Sequence, residues 1–115
     1  MGVARDHGAA AEDLAAAYVA LLGWELAARN TRLAGVEVDL LAREGRTWIL
    51  VEVKYRARSD FGGAPAAIDA RKRERLRRAA LAASGGRDDV RIDIVSIESS
   101  ADGLVLTHHR NAITG

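Results

Sequence analysis

The sequence contains no cysteine, one proline, two lysines and five aromatic side chains among its 115 residues. The absence of cysteine excludes disulfides, thiolate metal ligands and a cysteine nucleophile, and it fits a reducing compartment. No apolar run near the N-terminus is long enough for a signal-peptide core or a membrane span, because Arg5, Asp6, Glu12 and Asp13 interrupt it. We therefore expect a cytoplasmic protein without a membrane segment.

Length and charge limit the function further. A chain of 115 residues is large enough for one hydrophobic core, which predicts a single domain over residues 1–115. The formal net charge is only +1, so any affinity for a polyanion must come from how charge is distributed. Fifteen arginines meet most needs for positive charge, and the two lysines, Lys54 and Lys72, therefore indicate positions that need a compact ammonium.

Hydrophobic periodicity predicts two helices and five strands in the order α, β, β, β, α, β, β. In the first helix Leu14, Tyr18 and Leu21 recur at helical spacing, and Gly23 ends the pattern. The predicted helices are Ala9–Leu22 and Pro65–Ala83. A predicted loop, Arg56–Ala64, directly precedes the second helix. The predicted strands are Trp24–Arg32, Val36–Arg43, Thr47–Tyr55, Val90–Ile97 and a shorter Leu104–His108.

The second and third strands form a predicted hairpin around Glu44-Gly45. A two-residue turn there, or a four-residue turn around it, places Glu37 opposite Glu52 and Asp39 opposite Leu50. Because side chains alternate along a strand, four charged residues share one face. That face holds Glu37, Asp39, Glu52 and Lys54 among Leu41, Trp48 and Leu50, and the other holds Val36, Val38, Leu40, Ile49, Val51 and Val53.

Both faces of this hairpin are largely apolar, so we expect helices on both sides of the sheet and little solvent around the acids. Two like charges about 4 Å apart repel by roughly 4 kcal/mol at an effective dielectric constant of ~20. Three acids and one lysine leave negative charge uncompensated, which favours a divalent cation. Carboxylate oxygens suit Mg²⁺ or Mn²⁺, and such a cation activates water and neutralises charge on a phosphate.

The acids and the lysine follow a known spacing. Asp39, twelve intervening residues and then Glu52-Val53-Lys54 resemble the core of the PD-(D/E)XK nucleases. The longer segments Gly35–Ala42 and Val51–Arg56 resemble the YraN-like family of small, poorly characterised endonuclease-like proteins. The similarity continues through Glu12–Ala16, Arg29–Arg32, Lys72 and Asn111–Ile113.

This resemblance implies a restriction-endonuclease-like αβββαβ core with a mixed central sheet. It also implies that Asp39 and Glu52 are metal ligands, that Lys54 is the catalytic lysine, and that Glu12 is an additional acid from the first helix. Related nucleases of this fold cut branched DNA, so structured DNA is the expected substrate class by analogy. A homodimer is expected on the same ground, because branched DNA is often two-fold symmetric.

Lys72 lies on the apolar stripe of the second predicted helix, four residues before Leu76. A lysine in that position either extends its ammonium to an edge or meets an acid, and the hairpin acids are the nearest candidates. Residues 71–78 contain six positive charges and one negative charge, a local excess suited to phosphates. The predicted nucleic-acid contacts are Arg29, Arg32, Arg56, Arg71, Arg73 and Arg75.

Each candidate also has a simpler interpretation. Asp39, Glu52 and Lys54 can form a buried structural ion pair with a solvated acid, and Glu12 can be an acid favoured by the helix dipole. Glu37 can pair with an arginine. The arginine-rich helix can be a solvated face, and Arg29 and Arg32 can cap the sheet edge.

His108-His109 suggests a histidine nuclease, but neighbouring strand residues point to opposite faces, which hinders joint action. The leading hypothesis is a Mg²⁺- or Mn²⁺-dependent endonuclease that hydrolyses DNA, with Lys72 and Glu37 in supporting roles. The rivals are a non-catalytic nucleic-acid-binding protein on a nuclease scaffold, acting in repair or recombination, and a structural adaptor.

Overall fold

The computed structural model describes residues 3–57, 69–86 and 89–113, and it has two helices and five strands in these ranges. Ala11, Ala15 and Val19 line the buried side of the first helix at helical spacing, whereas buried and exposed side chains alternate at the start of the second strand. In chain order the elements are α1 (Val3–Leu21), β1 (Glu25–Leu33), β2 (Val36–Glu44), β3 (Thr47–Ala57), α2 (Ala70–Ser84), β4 (Asp89–Ser100) and β5 (Gly103–Ile113).

The five strands form one mixed sheet in the order β1-β2-β3-β4-β5. β3 and β4 are parallel, and the other neighbouring strands are antiparallel. The parallel pair requires a crossover, and α2 lies in that connection. The predicted mixed α/β fold is therefore confirmed. Within the described ranges, neither helix is long and apolar enough to cross a membrane.

Buried apolar side chains form two clusters, each with its own helix. α2 contributes Leu76, Ala79 and Ala80 to the first cluster, together with Leu50 of β3. α1 contributes three residues to the second cluster, which also contains Ile49 and Val51 of β3. Because Leu50 lies between Ile49 and Val51, the alternation of β3 distributes its side chains between the two clusters.

The hairpin register differs by two residues from the expectation. Leu40 pairs with Val51 and Glu44 with Thr47, so the turn consists of Gly45 and Arg46. Gly45 has a φ of 61°, which glycine adopts without the penalty of a side chain and which allows the turn to start there. The sequence-based pairing of Asp39 with Leu50 was therefore wrong, because Leu50 pairs with Leu41. A two-residue shift preserves the side-chain faces, and the observed register, continued by one residue, places Asp39 opposite Glu52.

The start of β2 also departs from strict alternation. Val36 and Val38 belong to the first cluster, although the sequence pattern placed them with Leu40, which belongs to the second. Regular pairing of β2 with β3 ends at Leu40. On the other side of β2, Asn30 of β1 has a positive φ of 48°, between the residues that pair with Leu40 and Val38. These two irregularities account for the change of face.

Several element boundaries differ from the prediction. α1 begins at Val3 rather than Ala9, β3 includes Arg56 and Ala57, which were predicted as loop, and β4 ends at Ser100 rather than Ile97. α2 begins at Ala70, because Asp69 has extended backbone angles and its carboxylate accepts the N–H of Lys72 as an N-cap. The predicted start at Pro65 lies outside the described residues. β5 continues to Ile113 rather than ending at His108, since a bulge opposite Asp93 absorbs the irregular stretch that contains Asn111 (φ 50°).

Candidate functional site

Asp39 and Glu52 form reciprocal contacts across the β2–β3 hairpin. The carboxylate Oδ2 of Asp39 accepts the backbone N–H of Val53 at 2.8 Å. The backbone N–H of Asp39 donates a longer hydrogen bond to Oε2 of Glu52, at 3.5 Å. Each acid thus accepts a hydrogen bond from the backbone of the opposite strand. These contacts lie just beyond Leu40 and Val51, the last regular pair of β2 and β3.

Lys72 reaches this pair from α2. Its Nζ lies 3.1 Å from Oε1 of Glu52, whose side chain is only 4% exposed. The Asp69 cap fixes the position of Lys72 in the first turn of the helix, since the Lys72 backbone N–H donates to the Asp69 carboxylate at 2.8 Å. Of the two arrangements expected for a lysine on the apolar stripe, the structure therefore shows contact with an acid.

Both carboxyl groups have raised pKa values. Burial raises the pKa of Asp39 and outweighs the hydrogen bond from Val53 and the charges of Lys72 and Lys54, which lower it. Burial also raises the pKa of Glu52, and the negative charge of Asp39 raises it further. Lys72 lowers the pKa of Glu52 through its charge and its hydrogen bond, without reversing the shift. Burial therefore disfavours the charged form of both acids more than the neighbouring lysines favour it.

Lys54 and Glu37 influence the same carboxylate. Lys54 is half-buried on β3, and within the described ranges it forms no ion pair. Glu37 is exposed on β2, and its charge raises the pKa of Asp39. The described part of the chain contains no ion pair between Glu37 and an arginine, which was the simpler interpretation of this residue.

A cavity of about 440 Å³ opens beside Asp39. Two of the arginines predicted to contact nucleic acid, Arg32 and Arg75, line this cavity together with Lys72. Arg78 also lines it, although the sequence analysis did not select Arg78 as a site residue. The remaining lining residues are Gly35, Val36 and Glu37. Four cationic side chains thus surround the opening that leads to Asp39.

The structure does not bring the other predicted residues into this contact network. Glu12 is half-buried on α1 and makes no hydrogen bond or ion pair with Asp39 or Glu52 among the residues described. Arg29 pairs with Asp13 at 2.7 Å. Arg56 lines a different cavity together with Ser96 and His109.

Arg71 and Arg73 are exposed on α2 and do not line the cavity beside Asp39. Their predicted contact with nucleic acid stays a prediction, as it does for Arg29 and Arg56.

Sequence analysis missed a second acidic centre at Asp93, a fully buried residue of β4. Its carboxylate accepts hydrogen bonds from Arg91 at 3.0 and 3.2 Å and from the backbone N–H of Asn111 at 2.8 Å. His108 Nε2 lies 2.7 Å from the same carboxylate, and His108 Nδ1 lies 2.8 Å from the Tyr18 hydroxyl. The available signal was an acid between the two core residues Ile92 and Ile94, which indicates a buried and therefore partnered charge.

The two neighbouring histidines lie on different surfaces. His108 contacts Asp93 and the ring of Trp24, whereas His109 lines the cavity that contains Arg56. This arrangement agrees with the alternation of side chains and separates the two imidazoles. A shared histidine centre is therefore not formed here.

Oxygen ligands define the kind of metal that the Asp39 site suits. The described residues contain no cluster of three or more histidine, cysteine, aspartate or glutamate side chains arranged around one point. The pair Asp39 and Glu52 offers carboxylates alone. Mg²⁺ typically uses one or two carboxylates and completes its shell with water and phosphate oxygens, so the donor set fits Mg²⁺ or Mn²⁺ better than Zn²⁺.

Fold and site together define a mixed α/β protein in which a strand hairpin places a buried carboxylate, Glu52, and a half-buried one, Asp39, near a lysine from the crossover helix. The chain belongs to the uncharacterised protein family UPF0102, whose model matches residues 11–97. This confirms the resemblance to the YraN-like family. Glu12, Asp39, Glu52, Lys54 and Lys72 all lie inside the matched region.

Relatives from several bacteria cover most of the chain. A UPF0102 protein of Burkholderia pseudomallei is 45% identical over 103 residues, which cover 86% of this chain and 72% of the relative. A UPF0102 protein of Serratia proteamaculans is 41% identical over 102 residues, covering 84% and 87%. A UPF0102 protein of a Parafrankia species is 35% identical over 114 residues, covering 96% and 97%.

Proposed function

We propose that this protein is a metal-dependent endonuclease of the PD-(D/E)XK type that hydrolyses phosphodiester bonds of DNA. The observation that supports this most is that Glu52 accepts the backbone N–H of Asp39 while Asp39 accepts the backbone N–H of Val53, with Lys72 bound to Glu52. A buried and a half-buried acid with raised pKa values are costly to a fold, and such groups are concentrated at functional sites. A divalent cation compensates this cost.

The proposal includes a restriction-endonuclease-like αβββαβ core with helices on both faces of the sheet. It is supported by the order of the elements and by the parallel pairing of β3 with β4 across α2. The assignment of α1 and α2 to different hydrophobic clusters also supports it, since neighbouring residues of β3 contribute to each cluster.

Asp39 and Glu52 are the residues that would hold Mg²⁺ or Mn²⁺. Oδ1 of Asp39 accepts no hydrogen bond from the residues described, so this oxygen is available as a ligand. The cation would supply Lewis-acid activation of water and would neutralise charge on the phosphate. The Val53 N–H holds the other Asp39 oxygen and thereby orients the carboxylate.

Lys54 and Lys72 have different roles in this proposal. Lys54 follows Glu52 by two residues and has no ion pair among the residues described, so its ammonium is free to orient the attacking water or to stabilise charge at phosphorus. Lys72 binds Glu52 and keeps that carboxylate directed toward the strand that contains Asp39. Glu37 and Glu12 remain supporting acids.

The substrate proposed by analogy is branched or otherwise structured DNA, bound by a homodimer in the cytoplasm. The competing proposal is a nucleic-acid-binding protein on a nuclease scaffold. One observation favours it: the ammonium of Lys72 already occupies part of the position at Glu52 where a metal cation would bind.

Cleavage assays with purified protein distinguish the two. Branched, flapped, single-stranded and duplex DNA are incubated with Mg²⁺, with Mn²⁺ and with a chelator. We expect metal-dependent cleavage of at least one substrate, loss of that cleavage in Asp39→Asn, and retention in Asp102→Asn, which makes the same change at an exposed turn.

The absence of cleavage under all of these conditions would reject the nuclease. DNA binding by the same inactive preparation would then support the competing proposal. Cleavage that survives Asp39→Asn would point to a contaminating nuclease.

A further inference from the structure

The basic side chains of α2 differ in whether they have an acidic partner. Lys72 pairs with Glu52, and Arg77 pairs with Glu74 at 3.6 Å. Arg75 and Arg78 are exposed, and no described residue forms an ion pair or a hydrogen bond with them. Both line the cavity beside Asp39, so the side of α2 next to the candidate site has positive charge without a counter-ion among the described residues.

Helical geometry separates the arginines into two groups. At about 100° per residue, Arg71, Arg75 and Arg78 lie within roughly 60° of one another, and they span about 10 Å along the helix axis. Arg73 lies about 160° from Arg75 around the same helix. Arg71, Arg73, Arg75 and Arg78 are all exposed, so they differ mainly in direction.

Arg32 of β1 lines the same cavity. Its Nη1 donates to the carbonyl oxygen of Gly35 at 3.2 Å, which holds the guanidinium across the turn between β1 and β2. A guanidinium has five N–H donors, so this contact leaves others available. Among the cavity-lining residues, four are cationic and two, Glu37 and Asp39, are acidic.

We propose that Arg32, Arg75 and Arg78, continued along α2 by Arg71, form a phosphate track that holds the backbone of a nucleic-acid strand beside Asp39. This inference rests on the proposed nuclease function and specifies how its substrate lies. The planar fork of arginine matches two phosphate oxygens, which suits a row of phosphates better than a single small anion.

The lining of this cavity also indicates what the track recognises. Among the described residues that line it, none is aromatic and able to stack on a base. Contacts from arginine to phosphate fix the position of a strand but do not identify its bases. Binding along the track is therefore independent of base sequence and strongly dependent on salt.

The test measures binding without catalysis. Full-length Asp39→Asn protein in chelator is titrated with fluorescently labelled DNA at several salt concentrations. Introducing Arg75→Ala and Arg78→Ala together into the Asp39→Asn protein is expected to weaken DNA binding at least ten-fold. It should also reduce the slope of log affinity against log salt by about 2, since each phosphate contact contributes about 0.9.

Arg73→Ala is the matched control, because it removes an exposed arginine from the other side of the same helix. We expect Arg73→Ala to reduce the slope of log affinity against log salt by less than half of the reduction that Arg75→Ala alone or Arg78→Ala alone causes. Equal losses at residues 73, 75 and 78 would overturn the track in favour of undirected attraction. Unchanged binding in the double variant would also overturn it, and thermal melting checks that each variant is folded.

Two further outcomes separate this inference from the nuclease proposal. Dependence of binding on Arg75 and Arg78 in a protein that never cleaves DNA would keep the track and reject the nuclease. Cleavage by wild-type protein with no dependence on these arginines would keep the nuclease and reject the track. Equal competition by poly-glutamate of the same total charge would overturn phosphate recognition in favour of an acidic protein partner.

Discussion

The ammonium nitrogen of Lys72 lies 3.1 Å from Oε1 of Glu52. The crossover helix α2 and the preceding strand β3 therefore meet at one carboxylate. The ammonium and a metal cation would compete for the same oxygen atoms. The contact between these two residues therefore predicts how the site responds when either one is changed.

Replacing Lys72 by methionine is expected to strengthen Mn²⁺ binding by roughly thirty-fold. A single and a double positive charge about 4 Å apart repel by ~2 kcal/mol even at the dielectric constant of water, and this repulsion is removed. Isothermal titration calorimetry at pH 8 measures the affinity, and Lys54→Met is the comparison because Lys54 has no ion pair with Glu52 in the described structure. Weaker Mn²⁺ binding in Lys72→Met would mean that the orientation of Glu52 by Lys72 matters more for metal binding than the repulsion between Lys72 and the metal.

Replacing Lys54 by methionine is expected to lower the rate of DNA cleavage by roughly 10²- to 10³-fold, the usual effect of removing one group that stabilises transition-state charge. Single-turnover cleavage under saturating protein measures this rate apart from binding. DNA affinity in chelator should change by less than three-fold. An equal loss in affinity and in rate would assign Lys54 to substrate binding.

The raised pKa of Asp39 predicts that Asp39→Asn stabilises the metal-free protein at neutral pH. When folding raises the pKa of a carboxyl group, its contribution to stability is fully present below the unfolded pKa, near 3.8, and is lost as the pH rises through the folded pKa. Asparagine has no charge to bury and keeps an oxygen for the Val53 N–H.

Urea unfolding at a series of pH values, in the presence of chelator, measures this effect. The stability gained by Asp39→Asn should shrink as the pH falls toward 3.8, while the exposed control Asp102→Asn should show no such trend. A gain that is the same at every pH would rule out charge burial as its cause.

Replacing Asp93 by alanine is expected to lower the free energy of unfolding by about 3–5 kcal/mol, since it leaves the buried Arg91 and His108 without their acceptor. Asp102→Ala, at an exposed turn, should change it by less than about 0.5 kcal/mol. Chemical denaturation followed by circular dichroism gives both values. A loss below about 1 kcal/mol for Asp93→Ala would show that the network is dispensable.

Sequence alone predicted the order of the elements because the strands of the hairpin are rich in β-branched residues and the first helix repeats apolar residues at helical spacing. The predicted stripe was not the buried face, since Leu14 and Leu21 are exposed and smaller side chains of α1 face the sheet. It also placed Asp39 and Glu52 on one face, since a two-residue error in register does not change the face of a side chain. The exact pairing depended on the left-handed conformation of Gly45, and the neighbouring Glu44-Gly45 turn fits the sequence equally well.

Other features depended on contacts between distant parts of the chain. Val36 and Val38 change cluster because pairing with β3 ends early, which no local pattern indicates. Asp93 meets His108 only because β4 pairs with β5, and the bulge in β5 supplies the Asn111 N–H to the same carboxylate. Such partners become visible only when strand order and register are known.

The two edge strands share one irregularity. β1 and β5 each contain an asparagine with positive φ, at Asn30 and Asn111, and each has a shift in register with its single neighbour. An edge strand that is bent in this way cannot lie along the edge of a second sheet over its full length. These interruptions therefore protect the folded protein against open-ended aggregation, even though β5 exposes the apolar side chains of Leu104 and Val105.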